Sequence, residues 1–413
     1  MRIEIINTGS ELLLGSTINT HGAWLGQELL GLGLRVQRLV TVPDGDPIRD
    51  ALKESIAVSD AVIVTGGLGP TSDDVTREAT AEALGVELIE DEHAVRSLEA
   101  FFAKLGRPMT PSNLKQAQHP VGADVLPNPN GTAPGVYVPP RLGDSACAIF
   151  LLPGPPHEMH AMYHAEVAPR LKALTEMPAD HGVTNIKFSG VGESSFQDML
   201  DAKLHEAGGL EVGYCARPGE LDLRLIGSES DRKTAANLAI KTYPQCYVND
   251  DGRSLEATVV HALTEKNLKL ALAESCTGGR ISSRITDVSG SSAVFTHGYV
   301  TYANEAKVAM LGVNEASLEK EGAVSEKVAQ EMAEGALRNS GADIALSVTG
   351  IAGPTGGTDE KPVGTVWIGI SVRKGDQILT SAEMKFYPNG REVFKRLVSQ
   401  AVLMNILRST KEV

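Results

Sequence analysis

The sequence predicts an α/β chain: a domain with a mainly parallel sheet covered by helices, a small α+β module, and a second α/β domain. Short apolar runs alternate with helix-period segments from residue 1 to about 165, the pattern of βαβ units. The alternation restarts near residue 254, after a polar, turn-rich stretch. In both halves glycine-rich turns follow the apolar runs, where ligands of open α/β sheets sit.

Ile3–Asn7 reads as the first core strand. Asn19–Leu32 reads as an amphipathic helix, because Trp24, Leu25, Leu29 and Leu32 share one face. Val36–Val42 is a second strand, Pro47–Val58 a helix, and Ala61–Thr65 a third strand running into Gly66-Gly67. Ala148–Leu152 is a later core strand ended by Pro153-Gly154-Pro155-Pro156. In the middle module Asn185–Ser189 and Leu221–Ile226 read as strands, Ser194–Glu206 and Asp231–Tyr243 as helices. Val248–Gly252 is the best linker. Beyond it come a helix to Lys266, a strand over Lys269–Ala273, a strand-like Ala293–Val300, late strands over Lys361–Val372 and Ile378–Phe386, and a closing helix over Arg391–Leu407. The domains expected are 1–168, 169–250 and 254–413.

Composition narrows the function. The 413 residues, 42% hydrophobic and 22% charged, are those of an ordinary folded chain rather than a disordered one. No apolar run approaches a membrane span and Met1–Asn7 lacks a signal-peptide layout, so the expected compartment is the cytoplasm. With 38 basic against 52 acidic residues the net charge is −14, which argues against a nucleic-acid or membrane surface. The four cysteines form no C-x-x-C, so neither a zinc knuckle nor a disulfide framework is indicated. Forty-two glycines against 4% aromatics point to backbone amides approaching small ligands.

The run Ala273-Glu274-Ser275-Cys276-Thr277-Gly278-Gly279 follows a strand and precedes an amphipathic helix. A hydroxyl there is either a helix cap or a nucleophile beside amides, near Gly278 and Gly279, that stabilise an oxyanion. Four further runs follow in order: Ser289–Ser292, Thr301–Lys307, Gly322–Ser325 with Ser347–Pro354, and Lys361–Val366. Together they resemble the nicotinamide mononucleotide deamidase family, the CinA C-terminal domain, over about residues 254–410. The resemblance implies amide hydrolysis by a Ser-Lys pair, with Ser275 as nucleophile and Lys307 as base, and no cofactor. It gives Thr349 a catalytic role, orienting the nucleophile or the substrate amide, and puts Tyr302 in the pocket wall and Arg391 at the substrate phosphate. A serine needs such a base at neutral pH, and burial can lower a lysine pKa enough. Cys276 is the competing nucleophile, without a histidine partner in any motif.

In the first half, Thr65-Gly66-Gly67-Leu68-Gly69-Pro70-Thr71-Ser72-Asp73-Asp74 is the most informative run. Consecutive glycine amides can nest phosphate oxygens, and adjacent carboxylates suit a divalent cation bridging to a pyrophosphate. Helix capping by one aspartate is the plainer alternative. With Thr8–Gly15, Pro127–Gly135 and Pro153–Glu158, this run is similar to the molybdopterin-binding fold, a three-layer domain also found as the N-terminal half of CinA. That resemblance implies metal-dependent ADP-ribose pyrophosphatase activity, with Gly66, Gly67, Gly69 and Thr71 around phosphate and Asp73 and Asp74 handling metal or water. Glu11 and Glu158 are further candidates by motif position. His157, His160 and His164 share a helical face but do not form H-E-x-x-H, so a solvated face is the better reading than zinc. No GxxG occurs between 170 and 250, so the signature of a KH-type RNA clamp is missing.

The expected partners are small phosphorylated nucleotides, with no membrane and no nucleic acid; the resemblance implies a homodimer. Two other readings stay open: a binding or scaffold factor linked to competence or DNA damage, and a pterin-binding first domain without hydrolysis.

Overall fold

Continuous apolar runs become the buried strands. The computed structural model describes residues 1–142, 145–175, 181–206 and 209–412, in two compact units, Met1–Val183 and Thr184–Val413. The first contains strands β1 (Ile3–Thr8), β2 (Val36–Val42), β3 (Ala61–Thr65), β4 (Leu88–Glu90), β5 (Gln118–Pro120), β6 (Asp124–Leu126), β7 (Gly135–Val138) and β8 (Ala148–Leu152). Its helices are α1 (Ser10–Leu13), α2 (His21–Gly31), α3 (Asp46–Val58), α4 (Thr76–Leu84), α5 (Glu92–Lys104), α6 (Pro156–Met162) and α7 (Ala168–Ala173). Six strands form one sheet in the order β2-β1-β3-β8-β7-β6; the first four are parallel and the last two antiparallel. β4 and β5 pair with each other.

Both sheet faces are buried, which is why β1, β3 and β8 are apolar almost throughout. Leu25 and Leu29 of α2 and Met159 and Met162 of α6 cover Ile3, Ile5 and Phe150. Ile48 and Leu52 of α3 and Ala79 of α4 cover Ile6, Val62 and Val64 on the other face. Each such side chain contributes about 1.5–3 kcal/mol when fully buried.

In the second unit, β9 (His181–Ser189), α8 (Glu193–Glu206), β10 (Glu211–Arg217), β11 (Glu220–Ser228), α9 (Glu229–Thr242) and β12 (Tyr247–Asn249) make the middle module. Its sheet order is β10-β11-β9-β12, packed on Phe196, Leu200 and Ala239 of the two helices. The linker expected over Val248–Gly252 is shorter than that. Tyr247 and Asn249 pair with β9, and the buried Asn249 amide donates to Thr258 Oγ1 at 2.6 Å.

The remainder comprises α10 (Leu255–Glu265), β13 (Leu270–Glu274), α11 (Arg280–Thr286), β14 (Phe295–Val300), α12 (Asn304–Leu311), α13 (Glu315–Glu321), α14 (Glu326–Ser340), β15 (Ile344–Gly350), β16 (Thr365–Lys374), β17 (Gln377–Phe386) and α15 (Arg391–Glu412). The sheet order is β14-β13-β15-β16-β17, parallel among the first three. Along β13, Leu270 and Leu272 meet Val259 of α10 and Phe394 and Val398 of α15. Ala271 and Ala273 face Val328, Met332 and Ala336 of α14. Small residues on that face let α14 lie close: a Cβ at Gly369 would stand 2.3 Å from the Ala329 carbonyl oxygen. Among the described residues no helix is long and apolar enough to cross a membrane.

Candidate active sites

In the first unit β1 is flanked by β2 on one side and β3 on the other, a reversal of strand order that opens a crevice at the strands' carboxyl ends. A cavity of about 450 Å³ lies there, walled by the segments following β1, β3 and β8. Gly66 and Gly67 take positive φ of 102° and 66°, conformations that suit glycine. A Cβ at Gly67 would stand 2.2 Å from Thr76 Oγ1. The turn is held from behind: Thr76 Oγ1 donates to Gly66 O at 2.9 Å and Thr76 N–H to Gly67 O at 3.2 Å. The N–H groups of Gly67, Leu68 and Gly69 have no acceptor among the described residues, and these three residues line the cavity.

Two of the expected cradle residues stand differently. The Gly66 N–H donates to Leu152 O at 3.0 Å, extending the β3–β8 ladder, so it is not open to a ligand. Thr71 turns to Asp74, its N–H donating to Asp74 Oδ2 at 2.9 Å and its hydroxyl to the same oxygen. Asp74 therefore closes a turn before α4 and does not cap the helix, whose N-cap residue is Val75. Asp73, Asp74, Glu11 and Glu158 all line the cavity. The neighbouring Thr71 side chain, the backbone N–H of Asp73 and nearby Lys115 hold the Asp73 carboxyl below the usual range. Glu158 accepts from Asn128 Nδ2 at 2.6 Å. No group of three or more His, Cys, Asp or Glu is arranged as a metal cage among the described residues. Two carboxylates completed by substrate phosphate oxygens still fit a magnesium-like ion, which binds that way.

Sequence reading missed Arg77. It is buried, and burial pushes its pKa down to about 10 against the pull of Glu78 and Asp74. Its guanidinium donates to Leu68 O at 2.9 Å and Pro134 O at 3.2 Å, tying the Gly67–Gly69 turn to the Gly131–Gly135 loop. His21 was missed too; it lines the cavity with Nδ1 3.3 Å from Thr65 Oγ1. Of the three histidines on α6 and after it, His160 stacks on Trp24 at 3.8 Å and His164 meets the same ring edge-on at 5.5 Å. His157 lies 3.9 Å from Glu158.

In the second unit the same reversal occurs at β13, between β14 and β15. Ser275 follows β13, Lys307 lies on α12 after β14, and Thr349 is the last residue but one of β15, so all three come to the carboxyl end of the sheet. Lys307 is 1% exposed, and its Nζ lies 3.3 Å from Ser275 Oγ, 2.9 Å from Thr301 O and 3.3 Å from Tyr302 O. All three contacts are uncharged, and burial lowers the Lys307 pKa. Once neutral, the amine can keep its two hydrogens on the carbonyls and turn its lone pair to the Ser275 hydroxyl.

Ser275 does not cap α11, which starts five residues later. The Gly278 and Gly279 amides of that turn are already used. Glu274, fully buried, accepts from Gly279 N–H at 3.0 Å and Ile281 N–H at 3.1 Å on Oε2, and from Ser282 N–H at 2.8 Å and Oγ at 2.7 Å on Oε1. Gly278 N–H donates to Ser275 O at 3.1 Å. The oxyanion role expected of Gly278 and Gly279 is therefore closed, and the Cys276 and Thr277 N–H groups are nearby amides with no acceptor among the described residues. Thr349 is buried with its hydroxyl donating to Ala323 O at 2.7 Å; it braces the Gly322–Ser325 loop and makes no hydrogen bond to Ser275. Tyr302 is exposed, and Arg391 donates to its hydroxyl at 2.9 Å and to Gly353 O at 3.1 Å. Arg391 has no carboxylate partner among the described residues. Cys276 packs into the core and burial pushes its thiol up to about 12, which removes it as a thiolate nucleophile.

Fold and crevices define a chain with a molybdopterin-binding-type α/β domain ahead of a second α/β domain of a different topology. Residues 4–173 match the family described as probable molybdopterin binding domain, 184–245 the damage-inducible protein CinA KH domain, and 252–410 the CinA C-terminal domain. The middle match comes without a GxxG in those residues. A CinA-like protein of Akkermansia muciniphila is 49% identical, with 100% of this chain and 98% of that one covered. A putative competence-damage inducible protein of Caldicellulosiruptor saccharolyticus is 42% identical over 99% of both chains. The crystal structure of competence/damage inducible protein CihA from Agrobacterium tumefaciens is 41% identical and covers 38% of this chain and 93% of that one, with a TM-score of 0.35. The chain belongs to the CinA family.

Proposed function

We propose that this chain is a bifunctional hydrolase of pyridine-nucleotide salvage, deamidating nicotinamide mononucleotide at Ser275 and cleaving the pyrophosphate of ADP-ribose in the first unit. The carrying observation is the buried Lys307 amine 3.3 Å from Ser275 Oγ with no carboxylate in contact. Neutral Lys307 takes the Ser275 proton as Oγ attacks the carboxamide carbon. The Thr277 N–H supports the developing oxyanion. Lys307 then returns the proton to the departing nitrogen, giving ammonia and an acyl-serine. Water, deprotonated by the same amine, releases the nicotinate nucleotide. Arg391, with neutral partners only among the described residues, holds the substrate phosphate.

In the first unit the amides of Gly67, Leu68 and Gly69 bind the diphosphate and Arg77 keeps the turn in shape. Asp73 and the free oxygen of Asp74 would hold a divalent ion, which when bound offsets diphosphate charge. Ser275→Ala is expected to lower ammonia release by on the order of 10⁴-fold. ADP-ribose cleavage, read as nucleoside monophosphate with and without divalent metal, should persist. Loss of both activities together would sink the two-site reading.

A further inference from the structure

The cavity of the first unit is lined by the carboxylates of Glu11, Asp44, Asp73, Asp74 and Glu158, and by His21. No lysine or arginine lines it among the described residues, so His21 is its one basic side chain there. Most of the carboxylates are engaged. Asp44 Oδ2 accepts from Ser10 N–H at 3.0 Å and Ser10 Oγ at 2.9 Å, Asp74 closes the Thr71 turn, and Glu158 holds Asn128. Asp73, held below the usual carboxylate range, is a poor proton acceptor.

His21 is fixed at backbone and ring. It opens α2, where Asn19 Oδ1 accepts from its N–H at 3.1 Å and from Gly22 N–H at 3.4 Å. At the ring, Nδ1 lies 3.3 Å from Thr65 Oγ1. The Thr65 hydroxyl donates to Asn7 Oδ1 at 2.8 Å, and both residues are buried. With its proton spent on Asn7, Thr65 Oγ1 can only accept from the ring. The relay puts the imidazole hydrogen on Nδ1 and leaves Nε2 with a lone pair and no partner among the described residues. Burial, then His160 on α6, hold the ring's pKa below its ordinary value, and the first turn of α2 acts the same way. The titratable groups around the ring are His160, with His164 and Glu28 behind it, and the cavity carboxylates. We infer that His21 is the general base of the first unit, taking a proton on Nε2 from the water that attacks a diphosphate phosphorus, an assignment that rests on the pyrophosphatase reading. The water oxygen bonds to phosphorus as the bridging P–O bond breaks. One water hydrogen goes to Nε2 and then to solvent, the other stays on the new phosphate until solvent removes it. The leaving phosphomonoester departs with the bonding pair as an anion and needs no acid. Thr65 and Asn7 are positioning residues that set the tautomer.

The test measures nucleoside monophosphate release from ADP-ribose with divalent metal by the full chain, as wild type, His21→Gln and His21→Ala. The wild-type kcat/KM should rise with pH through an apparent pKa below about 6.5. His21→Gln should lower kcat by about 10²–10⁴-fold and lose that limb, and added imidazole should restore part of the His21→Ala rate. A kcat within threefold of wild type in His21→Gln, or a loss that keeps the limb and resists imidazole, overturns the assignment. Nitrogen-15 NMR of the histidine-labelled full chain, with the His21 signals identified by their loss in His21→Gln, reads the tautomer in parallel. If the wild type does not cleave ADP-ribose, the pyrophosphatase reading fails and the NMR decides the proton acceptor. A neutral ring with hydrogen on Nδ1, and Nε2 titrating below about 6.5, upholds it. Hydrogen on Nε2 of the neutral ring overturns it in either case.

Discussion

Glu274→Gln tests whether the nucleophile's turn is built on a buried carboxylate. Four donors converge on Glu274, two on each oxygen. Glutamine keeps one oxygen. The least costly arrangement gives that oxygen to Gly279 and Ile281 and turns the new NH₂ toward Ser282. The Ser282 hydroxyl can rotate to accept, but the Ser282 N–H then faces another donor. One unsatisfied N–H costs about 1–3 kcal/mol, and losing charge assistance on the two retained bonds costs about 1 kcal/mol more. The sum, about 2–4 kcal/mol, should lower the unfolding midpoint of the second unit by about 4–16 °C. Scanning calorimetry on the full chain, with loss of ammonia release on heating to identify the transition, reads the shift. Because Ser275 adjoins Glu274, kcat should fall as well. A midpoint within 1 °C of wild type with unchanged kcat would refute the view that this carboxylate holds the turn.

Other consequences follow from burial and space. Burial holds the Lys307 pKa below its ordinary value, so the proposed deamidation should speed up with rising pH through an apparent pKa below about 10.4, seen as the ascending, acid-side limb of kcat/KM. The unfolded chain binds the extra proton between the folded and unfolded pKa values, so stability from this group is present above the unfolded pKa and lost as pH falls through the folded one. Lys307→Met should accordingly abolish ammonia release while leaving the midpoint at pH 7 unchanged or higher by calorimetry. Gly67→Ala puts a methyl 2.2 Å from Thr76 Oγ1 at a φ of 66°, and should abolish ADP-ribose cleavage with deamidation intact. Cys276, buried with its thiol pushed up to about 12, should resist alkylation by iodoacetamide at pH 8 in the folded chain and react after denaturation, read by mass spectrometry.

The central strands were legible because they are apolar on both faces; β3 and β8 occupy the stretches expected. Ile344–Gly350, read only as part of a glycine motif, is the central strand β15. β10 has no such signal: Glu211–Arg217 mixes charged and small residues and lies at a sheet edge, where pairing rather than burial defines it. The three-residue strand β6 is too short for any periodicity. Ser275 and Lys307 were found through motif order, not through any property of their neighbours. What brings them together is register, since β14 and β15 both pair with β13 in parallel and deliver their loops to one end. Glu274 and Arg77 were invisible for the same reason. A charged residue in a strand or helix pattern reads as a solvent face until the chain is folded, and only the turns packed on it show that its charge is spent indoors.

The carboxylate of Glu274 is an anion the protein carries with it. Being covalently attached, it occupies the amides of Gly279, Ile281 and Ser282 at an effective concentration no dissolved anion can match. Arg391 is exposed, and in the proposed deamidation it would hold the substrate phosphate by ordinary equilibrium through a salt solution. Ionic strength therefore acts as a knife between two kinetic constants. Added salt should raise KM for a phosphorylated amide by screening Arg391, while kcat, set by a turn whose counter-charge cannot be exchanged, stays level.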